Sequence, residues 1–252
     1  MKLPFFNFFK KETNAKKENE EKSNNEKISE AFFCQLNEMR NQDPLIGPKL
    51  GSKEIFNRLL NGMKDSRGIH IESFLCALGA LAGYSCQASL RRELIEIKGL
   101  SEKQVFVIVE GNDGNKYYFG DTINQPLVEN QFSVWSLAAG AVQHMGINVI
   151  IDLREIFEHV SKTTGSHNYG IPRIPDGHKP GDTPYNFIKI LWPILLPVAE
   201  QYCASPGEWP IMFGMAVQEG IIFGKDAIDP LFALSIVMES AIPMAKVDLK
   251  FT

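Results

Sequence analysis

IESFLCALGALAGYSCQASLRRE, residues 71–93, is the stretch on which the fold turns. From Ser73 to Leu90 it carries no charge, and a helix apolar on all sides belongs in an interior, not on a surface with one wet face. Ala77, Gly79, Ala80, Ala82 and Gly83 leave part of that helix nearly smooth, so a second backbone can approach it closely. In a lipid bilayer the Gly79–Gly83 spacing would suit helix dimerisation. Here Gly, Tyr, Gln and several Ser dilute the apolar run, which reads better as the central helix of a protein core. Arg91, Arg92 and Glu93 close it in charge. A second apolar stretch, Phe187–Ala199, is too short to span a membrane and contains Lys189, Pro193 and Pro197. No transmembrane segment is therefore expected.

Working outward, ISEAFFCQLNEM from Ile28 reads as a first helix, DPLIGPKLG as a break, and Ser52–Met63 as an amphipathic helix with Ile55, Phe56, Leu59 and Leu60 on one face. VFVIV at 105–109 and YYF at 117–119 flank EGNDGNK, which predicts a hairpin. A hairpin alone is marginal, and INVII at 147–151 is the expected third strand. A helix is predicted from about Asn130 to Met145, ended by Gly146. Asp152 caps the next one, over Leu153–Lys162. Asp182-Thr183-Pro184, Ser205-Pro206-Gly207-Glu208 and Asp229-Pro230 are explicit helix starts. Pro193 and Pro197 are expected to kink or interrupt the first of these three helices, and the last is expected to stop before Pro243. The predicted fold class is α+β and predominantly α-helical: a compact multi-helix domain with a small antiparallel β-hairpin or three-stranded sheet.

Residues 1–27 read as a flexible tether ahead of a single globular helical domain over 28–252. Lys, Glu, Asn and Ser dominate residues 10–30, leaving too little apolar surface to offset the entropy of ordering. Ahead of that tract stand Phe5, Phe6, Phe8 and Phe9. Four aromatics on a tether suggest docking onto a partner groove or weak peripheral contact with a membrane, and folding back onto the domain is the alternative. No secretory leader is recognisable, since MKLPFFNFFKK lacks a long apolar run and a cleavage site.

The chain has 44% hydrophobic and 22% charged residues and a net charge of -4. That balance suits a globular protein and excludes general nucleic-acid binding, which needs clustered Lys and Arg. The four cysteines form no CxxC pair and no zinc spacing. Cys76 and Cys86 read as reduced core residues, which points to a reducing compartment, and a cytoplasmic, bacterial-type setting is expected.

Chemistry is best sought in GSHNYGIPRIPDGHKPGDTPYN, residues 165–186. Four prolines, at 172, 175, 180 and 184, make so long a loop a shaped object. Its candidates are His167, Arg173, Asp176 and His178 for acid/base or anion-clamping work, with Tyr169 as a partner contact. Eleven residues separate the two histidines, a spacing that no metal geometry demands, and no metal or cofactor site is predicted. GNDGNKYYFGD lacks the alternating donors and terminal glutamate of a calcium loop, and phosphate-loop, dinucleotide, serine-elbow and HExxH motifs are missing. Glu219 and Glu239, embedded in apolar helices, are candidate catalytic carboxylates if buried, as is Glu72 beside His70. Otherwise they point outward or accept hydrogen bonds from neighbouring helix ends. Trp135, Trp192 and Trp209 read as core.

Three functions follow as expectations. The first is a non-enzymatic binding or accessory protein working through a protein partner. A hydrolase or metal-assisted enzyme centred on the loop is the second, and a structural homo-oligomer is the third.

Overall fold

The computed structural model describes residues 31–148 and 151–249. The tether, its four phenylalanines and residues 28–30 of the first expected helix lie outside the described residues. The chain divides into two compact units, one ending at Gly47 and the other beginning at Pro48. In the first, helix α1 covers 31–39, where the rings of Phe32 and Phe33 meet edge to face at 5.0 Å and Cys34 is exposed. Helix α2, Ile46–Met63, starts earlier than expected. The anticipated Pro/Gly break is absorbed because Gly47 and Pro48 occupy its first turn, where a missing backbone N–H costs nothing.

The second unit is built around α3, Ile71–Leu90, with every residue from Ile71 to Gln87 buried. Its length and composition, with the π-helical continuation Arg91–Ile97, would suffice to cross a membrane. In this fold it is enclosed by α8 (Pro184–Tyr202), α9 (Trp209–Gly224) and α10 (Pro230–Met244). The smooth side faces α10. A Cβ on Gly79 would lie 2.5 Å from the Val237 carbonyl oxygen, and one on Gly83 would lie 2.6 Å from the Ala241 carbonyl carbon. No side chain fits there, so the two backbones touch. Edge-to-face packing of Phe56 on Phe74 and of Tyr84 on Trp192, at 5.5 and 4.9 Å, fills the flanks.

After the π turn come α4 (Glu102–Val105), β1 (Val107–Glu110), β2 (Lys116–Phe119) and α5 (Asp121–Asn124). The strands pair antiparallel, Val107 with Phe119 through Glu110 with Lys116, as the sequence predicts. Gly114, at φ +76°, supplies the turn conformation that other residues avoid. The expected third strand is not found in its described part: Ile147 and Asn148 are irregular, and residues 149–150 lie outside the described residues. The segment that meets β2 instead follows α10. Tyr118 N–H donates to the Lys246 carbonyl at 2.8 Å, and Tyr117 bridges to Val247.

Helices α6 (Val134–His144) and α7 (Leu153–Thr163) are capped by Ser133 and Asp152. Thr183 caps α8 with Pro184 at its first position, and Asp229 caps α10. Ser205 and Glu208 depart from a capping box, since Glu208 accepts from Ala204 N–H at 2.8 Å and a 3-10 turn, Pro206–Glu208, precedes α9. Pro193 and Pro197 do not interrupt α8. The carbonyls they leave without a helical donor belong to Lys189 and Pro193, both exposed, and an exposed carbonyl needs no N–H from the helix because solvent can take its place. Likewise α10 runs through Pro243, because a proline in the last turn sacrifices one hydrogen bond only.

Candidate functional site

The 165–183 loop leaves α7 and returns to α8 across the ends of α3 and α10, and its contacts follow from two carboxylates on those helices. Glu72, in the first turn of α3, and Glu239, within α10, retain 9% and 8% exposure. Carboxylates so far removed from water require charged or hydrogen-bonded partners. The loop provides them. Arg173 donates to Glu239 Oε1 through Nε at 2.8 Å and Nη2 at 2.5 Å, and its Nη1 reaches Glu155 of α7 at 3.3 Å. The hydrogen bond it donates to Glu239 holds the guanidinium more firmly protonated than an ordinary arginine, outweighing partial burial. His178 places Nδ1 2.8 Å from Glu72 Oε1, with its ring edge-to-face on Phe232.

Around Glu72 the pattern extends to the helix cap. Ser73 N–H donates to His70 Nδ1 at 3.3 Å, and Ser73 Oγ lies 2.8 Å from the same nitrogen. That fixes the His70 proton on Nε2, which faces Glu72 Oε2 at 3.5 Å. Ser73 Oγ also accepts from Gly181 N–H of the loop at 2.7 Å. A serine, an imidazole and a carboxylate in series have the composition of a nucleophilic triad. Here Ser73 is buried and its oxygen is capped by loop backbone, so a substrate carbonyl has no approach. The series is a helix cap that grips the loop.

Two further contacts complete the attachment. Tyr169 donates its hydroxyl to the Pro243 carbonyl at 2.8 Å and stacks edge-to-face on Tyr117. Burial raises its pKa well above the usual phenol value, with the Tyr117 hydroxyl adding to the effect. Gly165, at φ +74°, lies against Gly111 and Asn112 of the hairpin turn, where a Cβ would meet the Asn112 nitrogen at 2.5 Å.

The sequence candidates therefore separate. Arg173, His178 and Tyr169 are anchors, and Tyr169 spends its hydroxyl within the fold instead of offering it outward. Asp176 is exposed and paired with Lys179 at 2.7 Å, which lowers its carboxyl pKa. His167 is exposed at the loop's outer side. Glu219, on α9, is only partly buried, and no hydrogen bond joins it to the described residues. Of the six catalytic candidates, Arg173 and Glu239 are brought into contact. Among the described residues no group of three or more His, Cys, Asp or Glu can hold a metal ion.

Two other polar features lie outside the loop. One is a cavity of about 310 Å³ lined by Glu102, Gly114, Asn115, Lys116, Tyr118 and Asp248. Arg91 packs behind it, its guanidinium 4.2 Å from the Tyr118 ring centroid and hydrogen-bonded to Glu102 at 2.5 Å. That bond lowers the Glu102 pKa. The other is Lys246, 2% exposed, whose ammonium lies 5.0 and 5.3 Å from the Phe119 and Phe157 rings and 3.4 Å from Asn124 Oδ1. Burial brings its pKa down to about 8. A charge just past an apolar helical run, as at Arg91 and Lys246, is the only sequence sign of either feature.

The chain matches no protein-family model, no curated protein and no solved structure.

Proposed function

We propose that the chain acts by binding, and that the 165–183 loop is the surface it presents to a protein partner. The observation that carries this reading is the use of the loop's own chemistry: Arg173, His178 and Tyr169 are consumed in holding it to α3 and α10. A loop so anchored meets a partner without paying for its own ordering, the condition under which a modest contact area gives useful affinity. Its outer side combines an exposed apolar residue, Ile171, with His167, Asn168 and Lys179. An apolar residue with polar neighbours supplies the centre and rim from which a contact can be built. A reducing, cytoplasmic setting accords with four free cysteines.

Quantitative affinity capture from cells expressing the wild-type chain, Ile171→Asp and His167→Ala/Asn168→Ala tests the reading. These substitutions lie on the outer side and leave the anchors intact. One or more partners should fall at least several-fold in both variants and bind the purified wild-type chain directly. Identical partner profiles for all three proteins would remove the loop as the binding surface.

A further inference from the structure

Helix α8 carries an apolar stripe that its own fold leaves uncovered. Ile188, Trp192, Leu195, Val198 and Ala199 are buried, whereas Ile190 and Ile194 keep 46% and 52% exposure and lie beside exposed Pro193 and Pro197. At 3.6 residues per turn, these four side chains and Asn186 fall within an arc of roughly 100°. Single exposed apolar residues are unremarkable, but a contiguous stripe marks a contact surface.

The charges bordering the stripe identify what covers it. Lys189 and Glu200 are both exposed. They stand eleven residues apart, which brings them within about 20° of one another around the helix and about 16 Å apart along it. Both therefore lie on the same edge of the stripe, one toward each end, with their midpoint between Ile194 and Leu195. A two-fold axis through that midpoint, perpendicular to the helix and lying in the contact plane, turns the helix end for end while keeping each edge on its own side. Lys189 then faces Glu200 of the second copy and Glu200 faces Lys189 of the second copy. Ile194 packs across the axis and Ile190 falls beside Pro197. The stripe is complementary to itself, as an isologous interface requires, and its charge order is wrong for a parallel pair. We infer that α8 is the contact surface of a symmetric homodimer in which two copies of α8 pack antiparallel.

The same features disfavour a membrane as the occupant. One lysine and one glutamate give the stripe no net attraction for anionic lipid.

Sedimentation velocity of the full chain over about 1–100 μM, at low and moderate salt, tests the inference with charge reversals. The wild type should form dimers as its concentration rises. Lys189→Glu and Glu200→Lys each turn two attractive pairs into repulsive ones and should raise the dimer dissociation constant roughly tenfold or more. The double reversal restores both pairs and should recover most of the wild-type affinity, an outcome that a general loss of folding cannot imitate. Ile194→Arg should give monomer throughout. A wild type that stays monomeric to 100 μM overturns the inference, as does a dimer indifferent to the single reversals or weakened by the double at least as much as by the singles. Binding of the wild type, without self-association, to phosphatidylcholine or phosphatidylglycerol vesicles, lost on Ile194→Arg, would assign the stripe to lipid and overturn it equally.

Discussion

Gly83→Ala and Gly140→Ala are the same substitution, and both replace a glycine inside a helix, yet the fold demands opposite outcomes. At Gly140 in α6 nothing lies within 4 Å of the added methyl, so the change only relieves the glycine penalty and should stabilise by about 1 kcal/mol. At Gly83 the methyl would sit 2.6 and 2.7 Å from the Ala241 carbonyl carbon and Cα, with the carbonyl oxygen nearer still. These are backbone atoms of α10 that no rotamer change can remove. Restoring ordinary contact requires α3 and α10 to part by about 1 Å, and overpacking of this kind costs about 3 kcal/mol. Subtracting the propensity gain leaves a net loss of about 2 kcal/mol. For a chain of this size that lowers Tm by about 4–8 °C, while Gly140→Ala raises it by about 2–4 °C. Thermal unfolding followed by circular dichroism at 222 nm measures both. Equal melting temperatures, or a rise for Gly83→Ala, would refute the backbone contact that organises the core.

The buried lysine gives a pH signature. Lys246 loses its proton at about pH 8 when folded, against 10.5 ordinarily, so between these values the unfolded chain holds a proton that the folded chain has released. Stability contributed by this group rises with pH across that window. Lys246→Met removes a burial cost on the order of 3 kcal/mol at neutral pH, and its advantage in urea melts should be larger at pH 7 than at pH 9.5. An advantage equal at both would refute the assignment. Arg173→Met strands the Glu239 carboxylate and should cost about 2–3 kcal/mol, discounted for the partial exposure of the guanidinium. Adding Glu239→Gln should recover part of it, and limited proteolysis should cut 165–183 faster in the single variant than in the double. Native thiol titration should find Cys34 reactive and Cys76, Cys86 and Cys203 protected. Burial pushes the Cys76 thiol up to about 12 and so suppresses its thiolate further.

What the sequence conveyed and what it concealed divide along the range of the interactions concerned. The enclosure of α3 was legible because eighteen uncharged residues with a small-residue face fit one environment, and the hairpin because two β-rich runs bracket a turn. Caps at Asp152, Thr183 and Asp229 act within three residues, whereas the Ser133 cap was not read and α6 begins later than the expected Asn130. The third strand expected over INVII does not appear in its described residues, for a different reason. INVII has suitable composition, but pairing goes to the chain that α10 delivers beside β2, and Lys246–Val247 is too short to give a strand pattern. In α8, two internal prolines read as a kink or interruption because sequence does not report that the residues whose carbonyls they release are exposed. The loop's reactive residues were visible. Their partners were not, since Arg173 and Glu239 are 66 positions apart and no local pattern couples one charge to another at that distance.

The contact between Gly83 and Ala241 also governs the order of events in folding. It joins positions 158 residues apart, so this close backbone contact forms only once a large loop has been closed. Until α10 arrives, α3 is a helix without charge from Ser73 to Leu90 and with one side uncovered. The glycines that admit α10 also keep that side poor in protruding apolar groups. The groove needed at the end of folding thus gives stray chains little to hold while it waits.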